Sequence, residues 1–284
     1  MHKRNREKVR FGYNQIMLKI IRSKTFFIFE VATLFLFAFF WIVSTLPGFY
    51  NKLGAIGYAY CHQIPSRSFV FGNNQFAFCH RCTGLFLGIL FAFIWQLPSK
   101  RAGKVFTGWK ITFSFFSLLF YIVDALNGTV LTSFIAGRTI TLYPPSAMLR
   151  TVSGLCLGSA LGLLIYPIFN NVFWTNCNPN QGTLGSPRMA FRLLASELIA
   201  LFLVFSENPI FLTIFDILST LSAILFTACL YLLLILLFFR LEIRFNRLLE
   251  GRNFLLLGVL FAAAQITVLA FLRFRLTGMW YWPI

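Results

Sequence analysis

Apolar residues run along this chain in seven long stretches, near residues 25–46, 80–97, 111–126, 151–169, 190–206, 210–238 and 253–272, with polar or mixed segments between them. Unbroken hydrophobicity over about 20 residues is what a helix needs to cross a bilayer, because the hydrocarbon core offers its backbone no other partner. The clearest stretches are Pro209 to Phe239, with one interior acid at Asp216, and Phe254 to Leu272, with no charge. The weakest is the fifth, which is short, contains Glu197 and is parted from the sixth only by Ser206 to Pro209. A re-entrant path there would reverse everything after it and leave the second, third and fourth crossings unchanged. The run Thr25 to Leu46 outlasts the 7–15 residue core of a cleaved signal and has no small-x-small site after it, so it reads as an uncleaved first helix.

Between the first two stretches the period changes. Ser68–Phe71 and Gln75–Phe78 alternate about Gly72, Asn73 and Asn74, which predicts a β-hairpin whose second strand runs into Cys79 and a new helix. The pattern as a whole predicts an all-α integral membrane protein of about seven transmembrane helices, with a short extracytoplasmic β-hairpin between helices 1 and 2. It divides into a basic cytoplasmic tail (1–24), a first transmembrane helix (25–54), a core with a Cys/His motif and three transmembrane helices (55–169), and a C-terminal transmembrane extension (170–284).

Composition agrees, with 58% hydrophobic and 12% charged residues, against roughly 45–50% and 25% in soluble domains. The formal charge of +17 does not point to nucleic acid, because the basic residues form no single stripe interleaved with aromatics. They gather at the ends of apolar stretches. With the N-terminus inside, 18 Lys and Arg fall on inner segments and 7 on outer ones, which is the bias of cytoplasmic loops. The expected location is a prokaryotic cytoplasmic membrane, with the lipid bilayer as the partner and no nucleic acid.

The same map gathers the candidate chemistry at the outer face. Residues 60–88 hold three of the six cysteines and two of the three histidines. Cys79 and Cys82 lie one turn apart at a helix N-terminus, where free N–H groups and the macrodipole favour thiolate, and Cys61 and His62 approach from across the hairpin. Arg67, Arg81, Asp124 and Arg150 are polar neighbours on the same face, and charge at such depth is costly unless paired or hydrated. Gly84 and Gly88, and Gly154, Gly158 and Gly162, have the spacing that lets two helix backbones meet, which would dock the cysteine helix on the helix that begins at Arg150. Cys156 and Cys229 fall mid-helix, and Cys177 in an inner loop. No Walker, HExxH or GxSxG motif is present.

The pattern C-H-Q-x-P-x-R-S-F, a glycine, then C-x-R-C-x-G-x-x-x-G resembles the uncharacterised bacterial and archaeal membrane-protein family called domain of unknown function 2085. Here it comprises Cys61, His62, Gln63, Pro65, Arg67, Ser68, Phe69, Gly72, Cys79, Arg81, Cys82, Gly84 and Gly88, followed more loosely by Asp124, Leu149, Arg150, Gly154 and Gly158. The resemblance covers about residues 55–165. It departs at His80, where the family more often has a small residue, and at the missing glycine after Asp124; it implies no activity.

Three readings of the cysteines stand. In the first, Cys61, Cys79, Cys82 and a histidine hold a zinc-like metal (Zn2+). His62 is then the fourth ligand, because His80 departs from the family pattern, although adjacent Cys61 and His62 reach one ion only with strain, which leaves His80, water or Asp124 as substitutes. In the second, an oxidising compartment favours a disulfide or thiol exchange between the CxxC and Cys61. In the third, the cysteines are structural parts of a transporter or scaffold subunit. Covalent haem attachment is excluded because Thr83 follows Cys82.

Overall fold

The computed structural model describes residues 19–129, 142–184, 186–238 and 245–279. Most of the basic N-terminal segment, and Arg240 and Arg244, lie outside these. Helix α1 is Lys24–Ser44 and a short α2 is Phe49–Tyr58; strands β1, Ser68–Phe71, and β2, Asn74–Cys79, follow. Then come α3, His80–Gln96; β3, Ala102–Lys104; α4, Gly108–Thr129; α5, Ala147–Phe173; β4, Asn178–Gly182; α6, Pro187–Val204; α7, Pro209–Phe238; and α8, Arg252–Thr277. Each predicted apolar stretch is thus helical, with ends set by local chemistry. The hydroxyls of Ser23, Ser146 and Ser186 accept from Phe26, Leu149 and Met189 N–H and cap α1, α5 and α6, and Pro187 opens α6 where no N–H is needed.

Six helical segments among the described residues are long and apolar enough to cross a membrane: Lys24–Ser44, His80–Ser99, Gly108–Asn127, Ala147–Phe173, Pro209–Phe238 and Leu248–Thr277. Helix α6, counted as a seventh from its sequence, falls short by composition. Arg188, Arg192 and Glu197 lower its hydropathy. The bundle turns large apolar side chains outward, with Phe35, Phe202 and Phe238 each more than 70% exposed. Lipid is the medium that covers such a surface, and the chain is a multi-pass membrane protein.

The centre of the molecule is the pair α3 and α5. They run parallel, with Gly84 and Gly88 seated on the backbone of Thr151, Leu155 and Ser159, and Gly154 and Gly158 seated on that of Arg81, Leu85 and Ile89. A Cβ at any of these four glycines would enter a facing carbonyl oxygen closer than van der Waals contact allows. The expected docking of the cysteine helix on the helix after Arg150 is therefore a backbone-on-backbone contact. Ser159 Oγ donates to the Gly88 carbonyl (3.3 Å), and Gln96 Nε2 to the Gly162 carbonyl (2.9 Å), so the crossing is also hydrogen-bonded.

Around this pair the other elements divide by level. Near the start of α3, β1 and β2 form an antiparallel hairpin, with Ser68 opposite Cys79 and Phe71 opposite Asn74. Phe69 and Phe76 pack there with Ala200, Val204, Leu212 and Phe215 of α6 and α7. Toward the far end of α3, Ala92, Leu163, Leu184 and Leu193 form a second cluster. Helix α6 therefore runs the length of α3, from its last turns back to the hairpin. Beyond that far end, β3 and β4 pair in parallel, with Asn170 Nδ2 donating to the carbonyls of Lys100 (3.0 Å) and Ala102 (2.9 Å). Neither strand is evident in the sequence, because Ala-Gly-Lys and Asn-Pro-Asn-Gln-Gly have little strand propensity. The first helix ends at Ser44, close to the expected 46, and Gly48, at φ 107°, starts the separate α2.

Candidate functional site

Cys61 reaches the start of α3 because the chain after α2 is tied down atom by atom. The Gly57 carbonyl accepts the N–H groups of Tyr60 and Cys61, both at 2.9 Å. Gln63 then takes a left-handed backbone, φ 52°, although it carries a side chain and is buried. That turn aims its N–H at Cys61 Sγ (3.5 Å). Its amide nitrogen donates to the carbonyls of Gly54 (2.6 Å) and Ala77 (2.8 Å), and its own carbonyl accepts from Gln75 Nε2 (2.7 Å). One residue thus fastens the Cys61 loop to both α2 and β2. The strained conformation, which costs of order 1 kcal/mol or more, is held by four hydrogen bonds.

Cys79 occupies the N-cap position of α3 and Cys82 lies one turn along it. The sulfurs of Cys61, Cys79 and Cys82 all lie within 4.8 Å of one another. The Cys79 N–H also points at Cys61 Sγ (3.3 Å), so Cys61 receives two backbone donors. Such N–H groups favour sulfur in its anionic form. Hydrogen bonding from Cys61, then from Cys82, holds the Cys79 thiol well below the usual thiol range. The counterpart is Cys61, pushed up to about 11 chiefly by its hydrogen bond to Cys79.

The two histidines stand apart from this triangle. His62 is exposed, and His80 is buried with its ring edge-on to Phe69 at 4.3 Å between centroids. The group of potential ligand atoms that converges among the described residues holds the three cysteines and neither imidazole. Asp124 is likewise engaged elsewhere. Arg81 Nε and Nη2 both donate to its Oδ2, at 2.8 and 2.5 Å, Ser153 Oγ adds a third bond there (3.1 Å), and Tyr143 donates to Oδ1 (3.0 Å). Asp124 is thereby a satisfied buried carboxylate that ties α3, α4 and α5 together, and its ion pair is with Arg81 rather than Arg150. Arg67 and Arg150 are half-buried nearby.

A residue the sequence reading passed over completes the surroundings. Arg273 of α8 donates through Nη1 to the carbonyls of Tyr58 (2.8 Å) and Cys61 and through Nη2 to that of His62 (3.3 Å), while its guanidinium lies 3.9 Å from the Tyr58 ring centre. No local signal marks it, since the partners are more than 200 positions away; its charge so near the end of an apolar run was the available hint.

Arranged this way, the three sulfurs can do two things. They can share one metal ion, since bonds of about 2.3 Å to a tetrahedral zinc put sulfurs about 3.8 Å apart, or two of them can join as a disulfide.

Comparison with known proteins agrees with the resemblance expected from the motif. Residues 61–164 match the model of the family described as a predicted membrane protein, DUF2085. The chain is 28% identical over 149 residues to the uncharacterized protein MJ1492 of Methanocaldococcus jannaschii, an alignment covering 51% of this chain and 88% of that protein. No solved structure matches.

Proposed function

We propose that this chain, similar to that family over residues 61–164, is a seven-crossing protein of a prokaryotic cytoplasmic membrane that holds one zinc-like ion at its extracytoplasmic face through Cys61, Cys79 and Cys82. The observation that carries the reading is the convergence of three sulfurs within 4.8 Å, one of them already receiving two backbone N–H groups. A single ion matches that spacing, and N–H groups that donate to a sulfur are characteristic of centres that hold a metal. Three protein ligands leave one tetrahedral position, for water or, should the exposed His62 turn inward, for its imidazole. An open position is the arrangement of a reactive zinc rather than a purely structural one.

Crossing number and orientation support one another. Helix α6 runs beside α3 for its whole length, and its mixed composition fits its place, since Glu197 bonds Ser159 and Trp95 donates to Ser196 (3.0 Å). With α6 as a span and the N-terminus inside, the hairpin and the three cysteines face outward.

Metal analysis of the purified protein, with free thiols counted before and after reduction, tests the reading. One equivalent of zinc-like metal per chain, lost in Cys61→Ser and in Cys82→Ser, is the expected outcome. A metal-free protein that gains two titratable thiols on reduction would replace the metal with a disulfide.

A further inference from the structure

Four guanidinium groups stand around the cysteine centre; Arg273 is taken up by the carbonyls of Tyr58, Cys61 and His62, and Asp124 answers Arg81. Both of its carboxylate oxygens are used by Arg81, Ser153 and Tyr143, and Arg81–Asp124 is the ion pair found at this site among the described residues. Among the described residues neither Arg67 nor Arg150 forms an ion pair, although the Asp124 charge also acts on Arg150. The backbone nevertheless brings them to one place. Arg67 directly precedes Ser68, which pairs with Cys79 across the hairpin, and Gly84 sits on the Thr151 carbonyl, which brings the start of α5, with Arg150, against the first turn of α3. The two guanidiniums lie within electrostatic reach of each other, and Arg150 also of Cys79 and His80.

His80 supplies the second observation. Its ring is 8% exposed, and its buried Nδ1 has no hydrogen-bond partner among the described residues. A buried polar atom left unpaired costs about 1–3 kcal/mol, and native structures seldom leave one so without a ligand or water to satisfy it.

We propose that Arg67 and Arg150, with His80 beside them, bind a phosphate-type oxyanion next to the three-cysteine centre. Guanidinium forks match tetrahedral oxyanions in paired hydrogen bonds; an imidazole with its hydrogen on Nδ1 adds a neutral donor. The site lies where spans α3 and α5 begin, at the depth of lipid headgroups, so the anion comes either from an anionic lipid or from a soluble phosphate compound. The proposal names the ligand class of the outer site and rests on the reading above for its position alone; metal content and anion binding can therefore fail separately.

The test uses the full chain, measured in two arms. In the first, protein in neutral detergent is titrated calorimetrically with inorganic phosphate. In the second, protein in nanodiscs of phosphatidylcholine, with or without phosphatidylglycerol, is released and weighed by native mass spectrometry for retained lipid. Binding in either arm, weakened about tenfold in Arg150→Gln and further in the Arg67→Gln, Arg150→Gln pair with metal content unchanged, is the expected result. Retention of phosphatidylglycerol without phosphate binding assigns the anion to lipid, and phosphate binding assigns it to a soluble ligand. Should the double variant fold poorly, Arg150→Lys keeps the charge and loses the paired geometry, so several-fold weaker binding is expected. No binding in either arm, or equal binding by wild type and variants, overturns the proposal.

Discussion

Gln63 shows how much of a site can hang on a residue that touches no ligand. Its side chain holds two buried carbonyls and its own N–H serves the Cys61 sulfur. Replacing it with alanine keeps a side chain in the left-handed turn while removing both hydrogen bonds to those carbonyls, at roughly 0.5–1.5 kcal/mol each. Gln63→Ala is therefore expected to weaken metal retention about 10- to 100-fold in competition with a chelator, the usual penalty for losing an outer-shell partner. Gln63→Gly relaxes the backbone and should fall between the two. Equal retention by Gln63→Ala and wild type would mean that the loop holds its shape by other means.

At the scale of elements, the glycine seam between α3 and α5 fixes the distance from the cysteine helix to Arg150. Gly154→Leu places its side chain in the Arg81 carbonyl, and overpacking of this kind costs about 1–3 kcal/mol or more. The melting temperature in detergent should fall, and metal should be lost with it because Arg81 lies between Cys79 and Cys82. Gly108→Ala, where nothing lies within 4 Å of the added carbon, is the control that should melt as wild type. This seam was legible in the sequence because small residues at every fourth position have one geometric consequence in a helix. The long helices were legible for a similar reason: lipid accepts continuous apolar helix and little else. Helix α2 was not, being short, glycine-containing and flanked by Gly48 rather than by a polar cap. Nor was the pairing of Arg81 with Asp124, since three outer charges on three helices allow several partners and side-chain packing alone chooses. The cysteines converge as their spacing implied. The histidines beside them do not, because adjacent backbone positions point side chains in different directions.

For the molecule as a whole, the sidedness of everything after α6 turns on whether that helix crosses. Its ends pack against opposite ends of α3, Leu193 near Ala92 and Val204 near Phe76, so the bend at Glu207 and Asn208 belongs on the hairpin side. In a background whose native cysteines are replaced by serine, Glu207→Cys should react with a membrane-impermeant maleimide on intact cells, and Asn180→Cys only after lysis. Labelling of both from one side would remove α6 from the spans. The clasp made by Arg273 carries a consequence of another kind. The carbonyls it grips belong to the loop of Cys61, yet Arg273 emerges from the ribosome more than 200 residues later. A nascent or prematurely ended chain can display all three thiols and still lack the hand that closes their loop, so closure of that loop waits until the last helix is in place.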